Sequence, residues 1–182
     1  ESGKVIWKQV IESQPVHGNG GSPVLVDDLL IFSVDGSKNP AVYALRASDG
    51  EIAWRTPRES IARKKFSFST PLVIEVKGRK QVVSPGSGMV GAYAVEDGSL
   101  QWQVRYGEGY SVIPKPVLSD GLLFIGTGYE RPKGGGIRVP EKLGDLTESH
   151  IAWQTTRSAP NTPSMIVVDG ALYFVSDGGI LP

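Results

Sequence analysis

Trp7, Trp54, Trp102 and Trp153 recur at intervals of 47, 48 and 51 residues. A separate ladder of prolines, Pro23, Pro71, Pro116 and Pro163, steps by 48, 45 and 47. Two residue types sharing a period near 48 leave few options. The chain is an array of similar units, each too small to bury both of its faces alone and therefore stacked on its neighbours.

Each unit reads as short strands separated by turn chemistry. In the first, Pro23–Val26, Leu29–Val34, Ala41–Leu45 and Ile52–Arg55 are apolar runs broken by Asp27-Asp28, Asp35-Gly36-Ser37 and Ser48-Asp49-Gly50. Asp-Gly between apolar runs is a strong hairpin signal, because the tight turn needs positive φ. The second unit repeats this over Pro71–Val76, Gln81–Ser84, Val90–Val95 and Leu100–Val104, with Glu96-Asp97-Gly98 as its last turn. A third opens on Lys115–Ser119 and Leu122–Thr127, and a fourth on Pro163–Val168 and Ala171–Ser176. No stretch carries sustained helical periodicity.

Four antiparallel strands per 40–50 residues is the arithmetic of a propeller blade. The expected fold is all-β, a β-propeller with about four four-stranded blades. The expected divisions are 1–15 (outer strand of a preceding blade, from Lys4-Val5-Ile6-Trp7), 16–62, 63–109, 110–158 with an insertion at 129–149, and an incomplete blade at 159–182. The register of the ends points to part of a larger propeller of about eight blades, or half of one completed by a second copy. Open blade faces predict self-association.

Composition narrows the function. Lys plus Arg and Asp plus Glu are 19 each among 182 residues, so no net charge draws the chain to a polyanion, and a nucleic-acid partner is not expected. The absence of cysteine removes disulfides, thiolate metal sites and a thiol nucleophile. No apolar run approaches the roughly 20 residues of a membrane span, and Glu1-Ser2-Gly3-Lys4 does not have the form of a signal peptide.

The stretch Val42-Tyr43-Ala44-Leu45-Arg46-Ala47-Ser48-Asp49-Gly50-Glu51-Ile52-Ala53-Trp54 resembles the tryptophan-docking motif of pyrroloquinoline-quinone-type (PQQ-like) propeller repeats. Ala92–Trp102 is similar with a turn two residues shorter, Gly3–Trp7 resembles the motif's tail, and His150–Trp153 keeps only its end. The resemblance covers essentially the whole chain. It implies one of two branches. Quinoprotein dehydrogenases hold the quinone and Ca²⁺ on the axis and oxidise alcohols or sugars. Exported propellers without cofactor, among them outer-membrane assembly lipoproteins, present a surface to partner proteins. The chain lacks the adjacent cysteine pair of many alcohol dehydrogenases and shows no local match to their Asp base or Ca²⁺ ligands. The expectation is therefore a non-catalytic recognition or scaffold propeller without cofactor or metal, periplasmic or extracellular by resemblance. PQQ and calcium enter only under the dehydrogenase alternative, and a carbohydrate-binding module is the third.

Propeller loops that lead from an outer strand to the next inner strand meet on one rim. They carry His17, Asn19, Lys65, Phe66, Tyr110, Lys115 and Asn161, a mixture suited to a polar or anionic ligand or a protein partner, or simply to capping a crowded axis. His17 is a base near neutral pH only if a carboxylate orients it, and otherwise a loop hydrogen-bonder. Arg55, Arg58, Arg63 and Lys64 form a basic patch for an acidic partner, or a solvated connection. Asp27, Asp28, Asp35, Asp49, Asp97, Asp120, Asp169 and Asp177 read as turn formers, and no metal site is expected.

Overall fold

The structure, a computed structural model, describes residues 3–14 and 16–179. Residues 1, 2, 15 and 180–182, which fall in the first and last expected units, lie outside the described residues. Blade 1 is β1 (Val24–Val26), β2 (Leu29–Val34), β3 (Ala41–Arg46) and β4 (Ile52–Pro57), ordered β1-β2-β3-β4. Blade 2 is β5 (Leu72–Val76), β6 (Arg79–Gly86), β7 (Met89–Ala94) and β8 (Leu100–Arg105), again sequential and antiparallel. Blade 3 is β9 (Val117–Ser119), β10 (Leu122–Gly126), β11 (Gly134–Arg138) and, beyond β12 (Gly144–Asp145) and the single helical turn α1 (Thr147–His150), β13 (Ile151–Thr155). The described part of the fourth unit is the hairpin β14 (Ile166–Val168) and β15 (Ala171–Tyr173). The fold is an all-β propeller of four-stranded antiparallel sheets.

The period is written into the backbone as well as the sequence. The first hairpin of every unit turns through a left-handed residue, Asp27, Lys77, Asp120 or Asp169, each with φ between 49 and 53°. Such primed turns match the right-handed twist of the flanking strands. Each complete blade also carries the same register shift. Trp54 lies opposite Ala44, Trp102 opposite Ala92 and Trp153 opposite Gly136, with one extra residue on the outer strand just before the indole. A bulge re-aims the next side chain, and here that side chain is always tryptophan.

Alternation explains how one sheet serves two interfaces. On blade 2, Val82 and Tyr93 join Ile31, Val42, Ala44 and Trp54 of blade 1 in one core cluster. Their neighbours Val83 and Ala92 face the other way, with Val90, Trp102 and Val104, onto Leu123, Ile125 and Ile137 of blade 3. Ile31, Val42, Val82, Val83 and Val90 are fully buried. Each such side chain contributes about 1.5–3 kcal/mol, which makes the inter-blade seams the main source of stability.

Two expectations need correcting. Residues 4–7 form no strand: Val5 and Ile6 are exposed, and the Trp7 indole donates to Ala47 O, but among the described residues no strand pairs with this segment. The glycine run at 134–138 is not an insertion but blade 3's third strand, and it is narrow enough for Trp153 to lie over Gly136. Only the stretch after it leaves the blade, reaching back to add β12 parallel to β8 at Trp102 and Gln103.

Candidate functional site

The connections that run from one blade to the next are tied to each other at the same period. Ser22 N donates to Thr70 Oγ1 (3.0 Å), Ser69 Oγ to Pro114 O (2.8 Å) and Lys115 N to Ser164 Oγ (3.0 Å). Phe68 N donates to Val112 O and Ser111 N to Phe66 O, both at 2.7 Å. These bonds hold the rim loops in register, so side chains from three successive units wall one cavity of about 570 Å³. His17, Gly18 and Gly20 come from the first connection, Phe68 from the second, and Tyr110, Ser111 and Ile113 from the third. Tyr129, from the loop after β10, completes the wall.

The wall is largely aromatic and carries no lysine, arginine or carboxylate. The Tyr110 and Tyr129 ring centroids stand 6.3 Å apart, and His17 and Phe68 stand 6.4 Å apart. Tyr110 also faces a neighbouring crevice lined by Ala62, Arg63, Lys64, Glu108, Gly109 and Glu130. There Lys64 Nζ donates to the Tyr110 hydroxyl (3.0 Å) and to Glu130 Oε1 (3.2 Å), while that hydroxyl donates to the same carboxylate oxygen (3.2 Å). Lys64 Nζ also lies 4.1 Å from the Tyr110 ring centroid. Hydrogen bonds from Lys64 and Tyr110 hold the Glu130 carboxyl below its ordinary range, and the bonds that Lys64 donates to Tyr110 and Glu130 hold its ammonium above its own.

Of the residues singled out from sequence, His17 and Tyr110 share this cavity. Asn19, Lys65, Phe66, Lys115 and Asn161 are not among its wall residues. Asn19 and Lys115 are exposed, Lys65 and Phe66 half-buried. Asn161 sits with Asp177, whose carboxylate accepts from Asn161 N and the Thr162 hydroxyl. Phe68, Ile113, Tyr129 and Glu130 are not among the residues expected from sequence. Phe68 was legible as the second aromatic of the alternating Phe66-Ser67-Phe68, whereas Tyr129 and Glu130 lie in the segment taken for an insertion.

The basic patch does not exist as one surface. Arg55 bonds the Tyr43 hydroxyl (3.0 Å) and Asn39 O (3.2 Å) on blade 1. Arg63 is exposed, and Lys64 is taken up by Tyr110 and Glu130. Arg58 is only 4% exposed: it donates to Ser84 O (2.9 Å) and Ser84 Oγ (2.6 Å) on blade 2, and its Nε lies 3.1 Å from Asp35 Oδ1. A Cβ on Gly86 would fall 2.3 Å from Arg58 Nη1, so the guanidinium occupies the space that a side chain there would need. Asp35 is likewise no turn former. Burial pushes its carboxyl up to about 6 against the opposing pull of Arg58, and its Oδ2 has no hydrogen-bond partner among the described residues.

The remaining carboxylates do local work. Asp49 accepts from Glu51 N and Arg46, Asp97 from Ser99 N, and Asp27 pairs with Lys80 across the blade 1–2 seam. Calcium asks for about six to eight oxygens, mostly carboxylate and carbonyl, and a quinone tricarboxylate asks for facing cations. The cavity wall supplies neither a carboxylate nor a lysine or arginine, so its residues do not fit that pair of groups.

A propeller of tryptophan-bearing, PQQ-type blades with an aromatic rim cavity is the class that this geometry defines. The family model described as outer membrane protein assembly factor BamB matches residues 1–181, and the chain belongs to that family. Outer membrane protein assembly factor BamB of Yersinia pestis is 26% identical over 197 residues, covering 98% of this chain and 45% of that protein. The crystal structure of BamB from Moraxella catarrhalis superposes with a TM-score of 0.68 at 15% identity, over 99% of this chain and 51% of that one. The chain thus spans about half the length of these relatives. A quinohemoprotein alcohol dehydrogenase from Pseudomonas putida shares the fold at a TM-score of 0.55 and 19% identity, over 83% of this chain and 22% of that one.

Proposed function

We propose that the chain is a non-catalytic recognition propeller that takes part in outer membrane protein assembly, outside the cytoplasm, by receiving an apolar segment of a partner protein in the rim cavity. The observation that carries this reading is the cavity itself. Three successive connections, fixed by their own hydrogen bonds, and the loop after β10 present His17, Phe68, Tyr110, Ile113 and Tyr129 around about 570 Å³ of space. A concave aromatic wall on a rigid scaffold is the usual form of a protein-binding hot spot. The family supports the assembly role. The dehydrogenase alternative draws on shared fold alone, and the cavity's donor set runs against it.

The test is a photo-crosslinker placed at Ile113, on the cavity wall, or at Glu75, on β5 and outside it. The Ile113 position should give partner adducts that the Glu75 position does not, and Phe68→Ser should abolish them. Equal adducts at both positions, or dye-linked alcohol oxidation after addition of PQQ and Ca²⁺, would overturn the reading.

A further inference from the structure

Glu130 occupies a setting that its own stability does not require. It is a surface carboxylate, 63% exposed, on the loop after β10, and it reaches across to a lysine contributed by the connection from blade 1 to blade 2. Its partners are ready-made recognition elements for a carboxylate: the Lys64 ammonium, the Tyr110 hydroxyl, and the nearby positive charge of Arg63. Tyr110 is common to this bracket and to the aromatic cavity, so the two sites share a wall.

Lys64 is held in place independently of Glu130. The connection that carries it is pinned by buried Arg58 at one end, by Ser60 Oγ donating to Ser87 O (2.5 Å), and by the Phe66 carbonyl, which accepts from Ser87 Oγ (2.6 Å). The ammonium's bond to the Tyr110 hydroxyl (3.0 Å) does not run through the carboxylate. An exposed pair such as Lys64–Glu130 adds little to stability, so exchange of one carboxylate for another costs little.

We infer that Glu130 stands in for a ligand carboxylate, and that the Lys64–Tyr110 bracket binds an acidic residue of the partner segment whose neighbouring bulky apolar side chain fills the cavity of Phe68, Ile113 and Tyr129. The inference rests on the reading that this cavity receives a protein segment, and it adds that segment's chemistry: an acidic residue next to an aromatic or large aliphatic one. Arg63 and Lys64 favour such a partner by charge, and the uncharged wall favours its apolar neighbour. Glu130 is then a competitor built into the site, which lowers affinity and rejects apolar segments that bring no acid to displace it.

The experiment is selection of a displayed random heptapeptide library on the wild-type chain and on Lys64→Met, Glu130→Gln and Phe68→Ser, followed by titration of the selected peptides. Wild type should enrich an acid adjacent to a bulky apolar residue. Lys64→Met should keep the apolar preference and lose the acid, with affinity for the wild-type peptide falling about fivefold or more. Glu130→Gln should bind that peptide about two- to fivefold more tightly, a gain that a merely structural Glu130 would not produce. Apolar peptides without an acid, still lost in Phe68→Ser, would overturn the carboxylate bracket and leave the cavity reading standing. Peptides indifferent to Phe68→Ser, or no enrichment on any variant, would overturn both.

Discussion

The two inter-blade seams are built from equivalent residues put to different use. At the seam of blades 1 and 2, Trp54 donates its indole N–H to Val95 O of the next blade (2.9 Å) and covers Gly98 in the turn before β8. A Cβ on Gly98 would fall 2.4 Å from the ring, and its φ of +74° is itself glycine's. Trp7 makes the same contact one unit earlier, to Ala47 O and over Gly50. At the seam of blades 2 and 3 the next blade has no short turn to offer. The indole of Trp102 donates back to Gln81 Oε1 of its own blade (2.9 Å), and Leu146, just beyond β12, joins the cluster around it. What the repeat conserves is the bulge and the outward-facing indole. What the indole meets depends on how the following blade connects its last two strands.

Removing each indole tests that difference most forcefully. Trp54→Ala and Trp102→Ala should each cost about 3–5 kcal/mol in chemical denaturation. Trp102, at 0% exposure against 8% for Trp54, should stand at the upper end. Gln81→Ala should weaken the seam around Trp102 and leave the one around Trp54 unchanged. Equal sensitivity of both seams to Gln81 would mean that the two indoles are not held independently.

The residue four positions after each indole sharpens the contrast further. In blade 1 it is Arg58, buried against Asp35 and Ser84; in blade 2 it is Tyr106, whose hydroxyl donates to Gly86 O of its own blade. Of these two positions, only the first therefore holds a buried ionisable pair. Asp35 titrates near 6 when folded and near 3.8 when unfolded, so the folded state takes up its proton first as pH falls. Stability should rise on going from about pH 7 to about pH 4, by on the order of 2–3 kcal/mol from this group. The hydrogen-bonded carboxylates Asp49, Asp97 and Asp145 act in the opposite sense, losing their contribution only below about pH 4. Asp35→Asn should flatten the profile between about pH 4 and pH 6 in thermal melts. An unchanged slope would mean that Asp35 is not the group responsible.

Much of this was open to reading in the sequence, and the part that was not has a physical cause. Tryptophan spacing, Asp-Gly turns and apolar runs lie in single units, so they specified strands and blades directly. Arg58 looked solvated because it sits among Arg55, Arg63 and Lys64. Its burial follows from Asp35, 23 positions earlier, and Ser84, 26 positions later, which only the closed seam brings together. The glycines 134–136 looked like an insertion because glycine is depleted in strands. Gly136 is required in β11 because the Trp153 ring fills the space that a side chain there would have taken. The cavity follows the same logic: His17 and Tyr110 were visible as loop residues, whereas Phe68 and Tyr129 became wall residues only through the bonds that align the connections.

The outer edges of the two blades separate them in one last way. An exposed strand edge invites unwanted pairing, and each blade meets that hazard differently. Blade 1 ends β4 with Pro57, which has no N–H to offer a further strand. Blade 2 has Arg105 three residues after Trp102, where blade 1 has Pro57 three after Trp54, and covers its edge with β12. Leu146 N donates to Gln103 O and Arg105 N to Thr147 Oγ1, both at 2.9 Å, while Asp145 Oδ2 accepts from Gln103 Nε2 (3.0 Å) and Arg105 Nε (3.1 Å). Thr147→Ala removes the acceptor for the Arg105 amide and leaves the buried side of β8 untouched. Hydrogen exchange at Arg105 should quicken by about tenfold or more, while global stability falls by no more than about 1 kcal/mol, as expected for one hydrogen bond at a partly exposed edge. Unchanged exchange at Arg105 would mean that β12 does not cover the edge. Faster exchange at Trp102 as well would mean that β12 also holds the core of the seam.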